Sequence, residues 1–246
     1  MRPQRRWLSL LRRAAIGFLA ASFGYVALVV HPQPLFAHSA GRGNIVLHAR
    51  QPLPPESTAL LDDALERIRR SPLYDAQRVH HVFLCDTPPL FALFTLWNHN
   101  AGGVTAIWAN GNVFIRPASV RRGRVVGASG VEKGGERTLA YYVAHEITHA
   151  MTADRIGRLA YRELAVFQVE GYADYVAFVR PVDVGQGRRQ LLAGNADMDP
   201  QGSGHYDRYR LLVGYLLQER QLSAEQLLSQ RLDRAQIEAE LLHDWR

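Results

Sequence analysis

Two histidines four residues apart constrain this chain more than any other feature. His145 and His149 lie in residues 136–155, a proline-free stretch with helical periodicity. Four residues are about one helical turn, so both imidazoles share a face. That spacing lets two ring nitrogens bind one tetrahedral zinc ion. Val143, Ala144, Ile147, Ala150 and Met151 around them are uncharged, as expected of a helix packed in a core beneath a metal. Glu146 follows His145 directly and points slightly off the histidine face. From there a carboxylate can take a proton from an activated water and hand it to a leaving amine.

A catalytic zinc site needs a third protein ligand and keeps one position open. Glu170 is the candidate, on a second helix predicted over residues 162–178. Two antiparallel helices joined by a short loop bring it opposite the histidines. Glu163, seven residues earlier on the same face, is the competing ligand; near a helix start, a solvated acid that complements the dipole is its ordinary role. Asp174 is one turn beyond Glu170 and can accept the free N–H of His145 or His149, fixing its tautomer. Gly171 is expected to let this helix approach the metal closely.

The rest of the chain reads as strands first and helices later, which is the α+β pattern. Strands are expected at 44–49 and 79–85, and a hairpin at 105–108 and 112–116 turning at Ala109-Asn110-Gly111. Between them, Ser57 is placed to cap a helix running to about Arg70, and Pro88 and Pro89 start a short apolar one. Residues 121–135 read as a loop rich in Gly and charge, and 181–204 as mostly irregular. A helix over 206–219 follows, then two short ones capped by Ser223 and Asp233. The expectation is a small mixed sheet over the zinc-binding helix with a mostly helical C-terminal lobe. Trp97, Trp108 and the 121–135 loop are candidates for shaping the cleft or for plain packing.

The net charge of +6 is not spread evenly. Arg2, Arg5, Arg6, Arg12 and Arg13 precede the first uncharged run, and no acid does. Without those five, 24 basic residues face 23 acidic ones, a net of +1. A nearly neutral body carries no electrostatic case for nucleic acid. Residues 14–30 hold no charge and follow the arginines, the arrangement of a signal anchor or a signal-peptide core. In either case the arginines stay in the cytoplasm and the rest is exported. The expected organisation is a basic arm, membrane segment and linker over residues 1–40 and one catalytic domain over 41–246, anchored at the membrane or, if cleaved, secreted. Gly41 to Gly43 is the expected linker. Cys85 is the single cysteine, which excludes an intrachain disulfide and a Cys-based zinc site.

In HEITH at 145–149 and EGYADY at 170–175 the chain resembles the gluzincin metallopeptidases, which include thermolysin-like and aminopeptidase-N-like enzymes. The resemblance implies Zn²⁺ held by His145, His149 and Glu170, with Glu146 as general base and Asp174 supporting a ligand. Gluzincins place an edge strand about thirty residues before the motif, where it pairs with an extended peptide substrate. That implies substrate binding by Asn112, Val113 and Phe114. Aminopeptidase-like members open a later helix with a tyrosine that donates to the oxyanion, here Tyr206. Thermolysin-like members use a histidine, which leaves His205 as an alternative, and Tyr209 is a third. No G-x-M-E-N exopeptidase motif precedes the zinc helix. The expected function is a zinc-dependent hydrolase, a peptidase acting on peptide or protein substrates. The contrasting expectation is a membrane-anchored binding or assembly protein that keeps the fold without turnover.

Overall fold

The computed structural model describes residues 4–96, 101–127, 129–132, 134–199 and 205–243. It is mixed α and β. Helix α1 (Gln4–Val30) is followed by strands β1 (His38–Arg42) and β2 (Ile45–Ala49), helix α2 (Glu56–Arg69) and strand β3 (His80–Leu84). Helix α3 (Pro88–Phe94) leads into β4 (Gly103–Thr105) and β5 (Val113–Ile115), then a small ribbon of β6 (Ala118–Ser119) and β7 (Arg124–Val125). The remainder is helical: α4 (Leu139–Ile156), α5 (Arg158–Glu163), α6 (Val166–Ala177), α7 (Val184–Leu192), α8 (His205–Gln218), α9 (Ala224–Leu227) and α10 (Arg234–His243).

The main sheet has the order β1-β2-β3-β5-β4, with β2, β3 and β5 parallel and both edges antiparallel. Strand side chains alternate between faces, and here both faces are covered. Ile45, Leu47, Val82, Leu84, Val113 and Ile115 point into the main core beneath α2 and α4. Phe83 and Phe114 point the other way, into a smaller aromatic cluster with Phe36, Phe91 and Phe94.

Two expectations about the sheet are corrected. Gly41 to Gly43 is not a linker: β1 pairs with β2 from His38↔Ala49 to Arg42↔Ile45, and Gly43 makes the turn at φ +56°, a conformation that favours glycine. The substrate-edge reading of Asn112, Val113 and Phe114 also fails. β5 is paired on both sides, so its backbone is already used, and the edge strand on that side of the sheet is β4.

Helix α4 owes its place to burial. Every residue from 139 to 153 except Tyr142 is buried, and each large apolar side chain taken from water contributes about 1.5–3 kcal/mol. Thr138 caps its start by accepting from the Tyr141 N–H. Gly157 ends it at φ +87°. The single helix predicted over 162–178 is broken into α5 and α6 by extended backbone at Leu164 and Ala165.

In α1, residues Leu10–Val30 are apolar and long enough to cross a membrane. A soluble core helix of that length would be buried, whereas Phe18 and Phe23 are 73% and 77% exposed. A membrane anchor and a signal sequence both fit these facts.

Candidate metal centre

Helices α4 and α6 pack against each other and bring three donor atoms to one point. His145 Nε2 lies 3.1 Å from His149 Nε2 and 3.3 Å from Glu170 Oε2, and His149 Nε2 lies 3.7 Å from Glu170 Oε2. Ligands at ordinary zinc distances on a tetrahedron are about 3.3–3.4 Å apart. The trio therefore spans a triangle of the size one zinc ion needs, built from the nitrogen and oxygen donors it accepts. Among the described residues this is the one His/Cys/Asp/Glu group of three that meets at a point. Glu163, at the end of α5, is exposed and outside it.

The groups behind the ligands are equally specific. Asp174 is fully buried, and its Oδ1 sits 3.0 Å from His145 Nδ1. The contact is off the ideal hydrogen-bond direction, and the same oxygen accepts from the Tyr141 hydroxyl. Asp174 Oδ2 faces Arg137 at 3.5 Å. Arg137 also reaches Asp207 at 3.4 Å and lies over the rings of Tyr141, Phe178 and Tyr206, an arrangement that cation–π attraction favours. On the other histidine, the Tyr161 oxygen is 3.0 Å from His149 Nδ1. Both histidines thus turn Nε2 to the shared point while Nδ1 meets an oxygen. At His145 the carboxylate of Asp174 can only accept, which favours the Nδ1–H tautomer and leaves Nε2 for a metal; at His149 the Tyr161 hydroxyl can accept in the same way.

Charge at the centre follows from these contacts. Burial disfavours the imidazolium at His145, but Asp174 and Glu170 outweigh it and raise its pKa to about 10. Burial works against the ionised forms of Glu170 and Asp174 too, yet the histidines, helped at Asp174 by Arg137 and Tyr141, hold both carboxyls below their ordinary range. Anionic oxygen beside two imidazoles is a donor set that welcomes a divalent cation.

Glu146 faces β4. The Thr105 hydroxyl lies 2.7 Å from Glu146 Oε2 and 2.8 Å from the Glu146 carbonyl oxygen. A Cβ added at Gly103 would come within 2.7 Å of Glu146 Cγ. The free sheet edge therefore touches the carboxylate beside the histidines. After burial, the charges of Glu170 and Glu146 help push the Tyr161 hydroxyl pKa upward. Those of Glu170, Asp174 and Glu146 act likewise on Tyr206, partly opposed by Arg137. Both phenols stay protonated and able to donate.

The other predicted residues divide clearly. The Tyr206 ring stands 6.1 Å from the His145 ring. Tyr209 packs on Phe167 instead. The side chain of His205 lies outside the described residues. Gly171 does not serve an approach to the metal: its missing Cβ would lie 2.5 Å from the Tyr209 carbonyl oxygen, so it lets α8 close onto α6. The Asn112 side chain donates to the carbonyls of Val29 and Val30 at the end of α1. Thr105, Arg137, Tyr141 and Tyr161 are contributions of the fold that the sequence motifs do not single out. Only the Tyr141 position, four residues before His145, carried a local sign. No protein-family model, curated protein or solved structure matches this chain.

Proposed function

We propose that His145, His149 and Glu170 hold one zinc ion, and that the chain is a zinc-dependent peptidase of the gluzincin type. The observation that carries this reading is the triangle of donor atoms with sides of 3.1, 3.3 and 3.7 Å. Bound there, zinc supplies a Lewis acid that lowers the pKa of water and polarises a carbonyl. Glu146, held by Thr105, takes the proton of the attacking water and returns it to the leaving amine. Tyr206 donates a hydrogen bond from its hydroxyl to the developing oxyanion. Asp174 and Tyr161 keep the two imidazoles aimed. Strand β4, as the free edge beside Glu146, is the one to pair with an extended peptide.

In this reading α1 is a retained anchor, with the arginine side in the cytoplasm and the domain outside. The test is Glu146→Gln in the full chain, assayed against a mixed peptide library. Zinc content should stay stoichiometric while cleavage falls by about 10²–10⁴-fold, the usual worth of a general base. Unchanged cleavage would remove Glu146 from its role. A wild-type chain that holds zinc and cleaves nothing would be a binding protein.

A further inference from the structure

The end of α1 is bonded to the domain. Asn110 and Asn112 donate their side-chain amides to the carbonyls of Val29 and Val30, orphan acceptors that a helix C-terminus must otherwise leave to water. Leu28 and Val29 pack against the aromatic cluster of Phe36, Phe83, Phe94 and Phe114. On the same face of the helix, one turn back, the Tyr25 hydroxyl donates to the Leu93 carbonyl at 2.9 Å.

That last bond fixes depth. Tyr25 is five residues before Val30, about 7.5 Å back along the axis. Helical side chains lean toward the N-terminus, so Tyr25 does not reach Leu93 by leaning outward. The end of α3 therefore lies beside the last turns of the apolar helix, not beyond them. The uncharged run of residues 14–30 is about 25 Å long, against a hydrocarbon core of about 30 Å. With Arg13 among the inner headgroups, whatever flanks Tyr25 sits within the outer apolar layer or its boundary.

What flanks it is apolar. Residues 87–96 carry no charged side chain. Leu93 is 41% exposed, Leu96 74% and Leu35, beside buried Phe36, 41%. Trp108, exposed at the hairpin two residues before Asn110, has the ring preferred at headgroup depth.

We propose that this corner of the domain is a lipid-facing surface. Leu35, Leu93 and Leu96 enter the outer leaflet beside α1, and Trp108 marks its boundary. The bilayer is then an integral neighbour of the domain, which is not a body on a loose tether. Thr105, which holds Glu146, and Asn110, which holds the helix end, are five residues apart, at most about 18 Å of chain. The candidate metal centre consequently lies near the membrane surface, and on the peptidase reading above the polypeptide it reaches is one lying on or leaving the bilayer. The proposal rests on the anchor reading of α1 and is independent of whether metal is bound.

The test is depth-dependent quenching in the full chain, reconstituted into phosphatidylcholine–phosphatidylglycerol vesicles containing lipids with shallow spin-label quenchers. An environment-sensitive dye is placed by Leu96→Cys, with Phe18→Cys as an anchor reference and Arg231→Cys as an aqueous one. Native Cys85 does not compete, because burial and nearby Asp86 push its thiol up to about 12. The expected result is quenching at 96 several-fold above that at 231, with a blue-shifted emission. A label at 18 that is quenched and blue-shifted while 96 behaves like 231 would overturn the docking and leave the anchor intact. A label at 18 that stays in water would overturn both and assign the failure to the anchor.

Discussion

Two pairs of histidines meet across short gaps in this molecule, with opposite chemistry. His145 and His149 approach to 3.1 Å on α4, and His48 and His81 to 3.0 Å across β2 and β3. Burial works against the charged form in both places. At His48 burial, with His81 beside it, lowers the pKa to about 4, and burial and Arg78 lower that of His81. Phe83 stacks on His48 at 4.6 Å. At His145 two carboxylates reverse the sign and raise the pKa to about 10. Closeness of two imidazoles is common to both pairs; the oxygen donors of Glu170 and Asp174 are what fit one of them to accept a cation.

The comparison breaks most sharply under ligand removal. His149→Ala should cost more than about 100-fold in zinc affinity, since even groups behind a ligand are worth 10–100-fold. His81→Ala should leave zinc content unchanged. Metal analysis of the purified chains reads both, and equal effects would erase the distinction. Next in size, Asp174→Asn should weaken zinc by about 10–100-fold through loss of the His145 partner, measured by competition with a chelator.

Proton competition gives the third effect. Below its raised pKa of about 10, His145 is protonated in the metal-free chain. Zinc must displace that proton, so affinity should fall by about tenfold for each pH unit between 8 and 6, with a proton released on binding in weakly buffered solution. The sheet pair makes the opposite kind of pH statement. His48 has a depressed folded-state pKa, so the unfolded chain binds more protons below about 6.5. Its contribution to stability is present above that pH and lost as pH falls through about 4. His48→Phe should flatten that acid limb in thermal melts and leave zinc affinity untouched. Smallest of all, Tyr161→Phe should lower zinc affinity by no more than about tenfold, because it removes one oxygen at His149 Nδ1.

The three candidate metal ligands are legible because the helix period fixes neighbours within one element. His145 and His149 need no tertiary knowledge, and Glu170 with Asp174 repeats the same one-turn spacing on the partner helix. The groups that support them come from elsewhere in the chain. Thr105 lies on a three-residue strand and Arg137 just before α4, while Tyr161 belongs to a six-residue helix. Their approach depends on packing that local pattern does not encode. Sheet order is non-local in the same way, which is why the sequence pattern at 112–116 does not reveal that β4 lies outside β5. Gly171 was noticed for its size, but only the fold shows which backbone it admits. The break at Leu164 and Ala165 has no glycine or proline to announce it.

The most direct measurement is anomalous diffraction at the zinc edge from crystals of the full chain grown with one equivalent of zinc. The account predicts one strong peak about 2.0–2.2 Å from His145 Nε2, His149 Nε2 and a Glu170 carboxylate oxygen. A zinc peak elsewhere, or Glu170 turned away with no protein donor in its place, would contradict it.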